Sequence, residues 1–203
     1  MPVEDFNRLM NNARVKLPGA LDAVLKMEFF GVLKYLFSYS NIWTEDIPFD
    51  VLPTDANRIT NPDAFTYYVS PTTGMVVRLM GVVNGNGAGV RCIMPVPGEI
   101  VLLASPNEPT TYYARVALTV LDPVTPEGYP DFPETILMQY SNEILDGLLG
   151  RMMSQVAKPY SSKDGAVMHT KLFTAAVARI KAEAMRQGLY GAQAWRYPRT
   201  FVR

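Results

Sequence analysis

The sequence has one cysteine, one histidine, no net excess of either charge and no long unbroken apolar run. Each absence removes a class of function. Cys92 alone can form neither an internal disulfide nor a thiolate metal site, and synthesis in a reducing compartment is expected. His169 alone confines imidazole chemistry to one group. It lies in a helical stretch with Asp164 five residues before it, off-face for a metal pair. No Gly-x-Ser-x-Gly elbow accompanies it, so it reads as an ordinary residue on a helix surface. The chain balances 19 Lys+Arg against 19 Asp+Glu, which argues against a wholesale nucleic-acid binder. The apolar stretch near Phe29 to Phe37 is broken by Lys26, Glu28 and Lys34, too short and too charged to span a bilayer. The opening Met1-Pro2-Val3-Glu4-Asp5 is acidic and lacks an apolar core, so no signal peptide is expected.

Other features that resemble sites have plainer readings. Gly81 to Gly89 contains four glycines, but no Lys-Ser/Thr follows and no helix opens there. It reads as a hairpin and not a phosphate loop. Glu45, Asp46 and Asp50, with Asp55 nearby, lack the Asp-x-Asp-x-Asp-Gly spacing of a calcium loop and read as a solvated acidic loop. No catalytic, cofactor or metal site is expected. Methionine is abundant, 11 residues, suited to filling cores or to adaptable interfaces.

What is present is a core-forming chain of 203 residues, 48% hydrophobic and 19% charged, enough to exclude disorder. The charge is unevenly placed. Residues 1–164 carry 12 Lys+Arg against 18 Asp+Glu, whereas residues 165–203 carry 7 against 1, Glu183. Such a dipolar chain suits head-to-tail contact between subunits, or a basic end facing an acidic partner.

The hydrophobic period changes twice. After a short amphipathic segment (Phe6, Leu9, Met10, Ala13), Leu17-Pro18-Gly19 is expected to open a helix reaching Ser40, with Leu21, Val24, Leu25, Val32 and Leu36 on one face. Phe29, Phe30, Leu33 and Phe37 make the other face apolar too, and are candidate subunit-interface residues. From Trp43 to Leu121, prolines punctuate β-rich runs at 64–69, 75–83, 90–95, 100–104 and 111–121, with Asn84-Gly85-Asn86-Gly87 as a hairpin turn. Asp131 and Glu134 are spaced as a capping box for a second helix with stripe Leu137, Tyr140, Ile144, Leu148, Met152 and Val156, ending at Lys158-Pro159. A third helix follows, with Leu172, Ala176, Ile180 and Met185 inward and Gly188 as its stop. The expected fold is α+β: an antiparallel helical bundle from 1–42 and 123–190, a β-rich insertion domain at 43–122, and an extended docking arm at 191–203.

That arm, with Trp195, Arg196, Tyr197, Arg199, Phe201 and Arg203, is the most informative stretch. Aromatics and Arg on a Pro-containing terminus contribute little to their own core, but they are the residue types that anchor interfaces.

The order of features resembles the head-to-tail adaptors of tailed bacteriophages, in particular the tail tubular protein A type of short-tailed phages. The matching pieces are Leu17-Pro18-Gly19-Ala20-Leu21-Asp22 running into Phe37 and Trp43, and the β block closing at Leu118-Thr119-Val120-Leu121-Asp122-Pro123. They continue with Phe132-Pro133 through Tyr140, Ile144, Gly147 and Leu148 to Met152, then Lys158-Pro159-Tyr160. The last is the helix from Lys171-Leu172-Phe173 to Met185, with the aromatic basic end. Tyr160 stands where the pattern suggests Trp, and no β-rich extension for tail-fibre contact is evident.

The resemblance implies a non-enzymatic ring, commonly of twelve copies, at the head–tail junction of the virion, assembled in the host cytoplasm. Its partners would be the portal protein, a tail or nozzle protein, and other copies of itself. Double-stranded DNA would pass through its channel without specific binding, and no membrane is involved. The competing expectations are a neck or tail-completion protein that does not bind the portal, and a small hydrolase.

Overall fold

The computed structural model of the chain describes residues 3–51, 66–103, 108–121 and 132–187. The first amphipathic segment is a helix of its own, α1 (Val3–Lys16), with Glu4 and Asp5 in its first turn and Arg14 and Lys16 in its last, charges that complement the helix dipole. Phe6, Leu9, Met10 and Ala13 are all buried. Leu17-Pro18-Gly19 does not open the next helix. Gly19 takes φ +80° and makes a turn, so α2 runs over Asp22–Ser40 with Leu21 as an exposed N-cap. Asn41 ends it in the left-handed region (φ 55°), its N–H bonded to Phe37 O at 3.1 Å, as a C-terminal cap requires.

Both apolar faces of α2 are consumed inside the protomer. Phe29 meets Phe6 edge-on at 5.1 Å, and Phe37 lies 5.4 Å from Trp43 and 5.5 Å from Phe132. Phe29, Leu33 and Phe37 are 0% exposed and Phe30 is 7%. These four are core residues, and the expectation that they face a neighbouring subunit is wrong. A helix between two packed layers has the same two-faced pattern as one at an interface.

The middle of the chain forms two antiparallel sheets. One contains β1 (Thr44–Val51), β3 (Met75–Asn84), β4 (Gly89–Val90) and β7 (Thr110–Thr119), in the order β1-β7-β3-β4. The other contains β2 (Thr66–Tyr68), β5 (Cys92–Ile93) and β6 (Glu99–Leu102), in the order β2-β6-β5. Phe49 joins them, 5.3 Å from Tyr67 and 5.9 Å from Tyr112. Strand β1, where an acidic loop was expected, accommodates Pro48 because it is an edge strand. The expected hairpin is present. Asn84 Oδ1 accepts the N–H groups of Asn86 and Ala88 at 3.1 and 2.8 Å, and Gly87 takes φ +78°.

The expected second helix is two, α3 (Glu134–Gln139) and α4 (Ser141–Met153), interrupted at Tyr140 (φ −118°, ψ 24°). No side-chain cap forms at the start of α3, where Pro133 is the N-cap residue. Helix α4 ends before Val156, which is 88% exposed. The last helix, α5 (Lys163–Gln187), buries Ala166, Phe173, Val177 and Ile180. Of the expected inward stripe, Leu172 and Met185 are instead 50% and 53% exposed. Helix α4 packs on α2 and α5 through glycines. A Cβ on Gly147 would lie 2.8 Å from Val32 Cγ1 and 3.0 Å from the Phe173 ring, and one on Gly150 would lie 2.7 Å from Thr170 Oγ1.

The class is α+β. The terminal arm, Asp55, Asp122-Pro123, Asp131 and Gly188 lie outside the described residues.

Two substitutions test this packing. Gly147→Ala gains up to about 1 kcal/mol of helix propensity but overpacks the crossing by about 1–3 kcal/mol. The expected net result is a Tm lowered by roughly 2–4 °C; an unchanged or raised Tm would show that α2 and α5 yield at that point. Phe30→Asp should abolish cooperative unfolding, because it buries an unpaired charge; a folded variant with normal circular dichroism and a defect only in assembly would restore Phe30 to the surface.

Candidate interaction surfaces

The residues with chemical potential are each engaged locally. His169 projects toward α4, 13% exposed at its side chain, with Nδ1 2.8 Å from Asp146 Oδ1. It is thus half-buried between two helices, not on a free surface, with Asp146 of α4 as its partner. The acidic residues of β1 are distributed along an edge strand. Asp50 Oδ1 accepts the Thr111 hydroxyl at 2.7 Å. Glu45 Oε1 accepts the Thr72 hydroxyl and N–H at 2.8 and 3.2 Å. Asp46 takes two hydrogen bonds from the Arg115 guanidinium, at 2.7 and 2.6 Å. Those hydrogen bonds, against a smaller desolvation effect, hold the Asp46 carboxyl below its usual value and the Arg115 guanidinium above its own. Burial pushes the half-buried Cys92 thiol up, away from the reactive thiolate. Among the described residues no group of three or more His, Cys, Asp or Glu could hold a metal ion. No helix of the described residues is long and apolar enough to cross a membrane.

The surface is less ordinary. On the four-stranded sheet, residues alternate in and out. Ile47, Val51, Tyr112, Ala114 and Val116 are buried, while Asp46, Pro48, Asp50, Thr111, Tyr113 and Arg115 face outward. Cross-strand register aligns Pro48 with Tyr113 and Tyr113 with Val83, so an apolar row crosses this outer face. Tyr113 and Val83 are 41% and 39% exposed. The smaller sheet shows Tyr68 and Ile93 outward.

At one end of the helices, the turn between α4 and α5 carries Val156 and a residue of positive φ, Ala157. There a cleft of about 450 Å³ is lined by Met153, Val156, Ala166 and Val167, with Ser162 and Lys163 at its polar side. Helix α5 turns Met168, Leu172, Ala175, Ala178 and Ala182 outward, beside the exposed cations Lys171, Arg179 and Arg186. Sequence periodicity alone did not find this face, because α5 carries two stripes of similar apolar content.

Neither a scan against protein-family models nor a search of curated proteins finds a match to this chain.

The Asp46–Arg115 pair predicts a pH dependence of known sign. Because the folded carboxyl value is depressed, the pair's contribution is complete above the unfolded value of about 3.9 and is lost as pH falls through the folded value. Both side chains are about half exposed, at 48% and 53%, which limits the contribution to about 0–1 kcal/mol. Arg115→Gln should therefore lower Tm slightly at neutral pH and flatten its fall below pH ~4. Identical acid limbs for the two proteins, traced by scanning calorimetry, would mean that the pair contributes nothing in solution.

Proposed function

We propose that this chain is a subunit of the structural adaptor ring at the head–tail junction of a tailed bacteriophage. It would dock beneath the portal, extend the DNA channel and give the tail its platform, a role that needs no catalytic step and no cofactor. The observation that carries this reading is the aromatic and basic sequence Trp195 to Arg203, following a helix whose outward face is itself apolar and basic. Together they concentrate interface residue types at one end of the chain. The order of helix, β block and helices supports the reading through the resemblance to head-to-tail adaptors. The acidic balance of residues 1–164 suits a wall past which DNA slides without binding.

Trp195, Tyr197 and Phe201 would enter apolar clefts between portal subunits, with Arg196, Arg199 and Arg203 pairing with acidic groups around them. Burying one large aromatic contributes roughly 1.5–3 kcal/mol, while ordering a free segment costs about 1–2 kcal/mol per residue. One arm would therefore bind weakly. Copies arranged in a ring bind at high effective concentration after the first engages. Deletion of 192–203 should leave a soluble, folded protein that no longer attaches to DNA-filled heads in an add-back assembly assay. Attachment of the truncated protein at normal efficiency would transfer the anchor to the helices and leave the arm without this role.

A further inference from the structure

We infer that the outward face of α5 docks on the outer face of the four-stranded sheet of a second copy of this chain, in a head-to-tail contact. The inference rests on reading the chain as a self-assembling subunit. It does not depend on what the assembled ring attaches to.

The α5 face is apolar and cationic. Met168 and Leu172 are each about half exposed, at 52% and 50%, beside exposed Ala175, Lys171, Arg179 and Arg186. The acidic residues on this helix are Asp164, in its first turn, and the half-buried Glu183. Charge disfavours the symmetric solution, chiefly through Lys171, since Arg179 is already paired with Glu143 of α4 at 2.6 Å. Two α5 helices packed antiparallel about Ala175 would set Lys171 of each copy against Arg179 of the other, and parallel packing would set each cation against itself. Like charges in contact oppose such pairing. A different covering surface, apolar at its centre and acidic at its border, fits this face better.

The outer face of the four-stranded sheet has that character. Pro48, Tyr113 and Val83 form its apolar row. Asp50 and Glu108 are exposed at the end of the sheet where β7 begins; further along β1, Asp46 is already paired with the outward-facing Arg115. Tyr113 against Met168 or Leu172 would supply the contact area, and Asp50 and Glu108 would meet Lys171 and its neighbours. Duplex DNA is the other anionic surface that could attract the α5 cations. The exposed Met168 and Leu172 disfavour it, because phosphates offer them no apolar contact.

The contact is small. A helix face of about 20 residues is roughly 30 Å long and, at about 10 Å wide, covers roughly 300 Å². A stable interface buries about 800 Å² per partner. The full-length protein should therefore associate weakly and reversibly, and a heterologous contact should propagate beyond dimers.

Sedimentation equilibrium of the full chain over a concentration series, with Lys171→Glu and Asp50→Lys, tests the pairing. Each variant alone should associate at least about tenfold more weakly than the parent. Mixing the two should restore association, because the intact helix of one copy meets the intact sheet of the other, and the exchanged charges at positions 171 and 50 on the two remaining surfaces are complementary to each other. If Asp50→Lys loses its native melting transition, Glu108→Lys takes its place in the mixture. A mixture that stays monomeric, variants that associate like the parent, or a parent that is monomeric throughout each overturn the proposal. So does tight parental binding to duplex DNA that Lys171→Glu abolishes. A parent that docks on heads while failing these tests would leave the adaptor reading intact and remove this interface alone.

Discussion

The close approach of three helices at Gly147 and Gly150 is the constraint from which the helical layer follows. A side chain at Gly147 would meet Val32 of α2 and Phe173 of α5 at once, so α4 can be held between them only where it has no Cβ. The Phe173 ring against Gly147 fixes the rotation of α5 about its axis. Val177 and Ile180 then turn inward, while Met168 and Leu172 turn out. The surface displayed by α5 is thus a consequence of a contact on its opposite side. Arg151 adds a further link by lying across Gly31 of α2, where a Cβ would be 2.0 Å from its Nη1, to reach Glu28 at 3.1 Å. A longer residue at 31 would displace that ion pair.

The helical layer is tied to the sheets through Trp43. Its ring packs on Phe37 at the end of α2, and its carbonyl accepts the Leu118 N–H of β7 at 2.9 Å. Gly74 closes the other side. It takes φ +79°, and a Cβ there would lie 2.6 Å from the Trp43 ring and 2.8 Å from Thr119 O. Glycine is needed at that position on both conformational and steric grounds. One indole therefore couples the packing of α2 to the entry of β3, so the inner faces of the sheet and of α5 belong to one connected core.

The alternation of period along the chain was enough to reveal the α+β class, the hairpin at Asn84, and the burial of Phe6, Leu9, Met10 and Ala13. It failed where two physical signals compete. Strand β1 was hidden because Glu45, Asp46, Pro48 and Asp50 look like loop residues, and only an edge position tolerates that combination. The inward stripe of α5 was misplaced because Leu172 and Phe173 are adjacent and comparably apolar, and the choice between them is made by Gly147 on another helix. The interface candidates Phe29, Phe30, Leu33 and Phe37 failed for a related reason, since the sequence does not distinguish burial by a neighbouring helix from burial by a neighbouring subunit. Of the candidate surfaces, the cationic end of the chain was legible as a charge imbalance. The apolar row on the sheet was not, because Pro48, Tyr113 and Val83 meet only through strand register.

Charge also bears on how assembly of such a chain would stop. With zero formal net charge, copies have little long-range repulsion to keep them apart. Exposed apolar side chains on both layers would then favour indiscriminate association. A contact between unlike faces limits this in two ways. It disfavours the symmetric pairs that would trap copies as dimers, and it leaves each added copy one open face of each kind. Growth then ends only when the rotation per copy closes on itself, because a contact that does not close makes a filament. For a neutral subunit with exposed apolar side chains, therefore, the geometry that would set the size of a ring would also be what limits indiscriminate association.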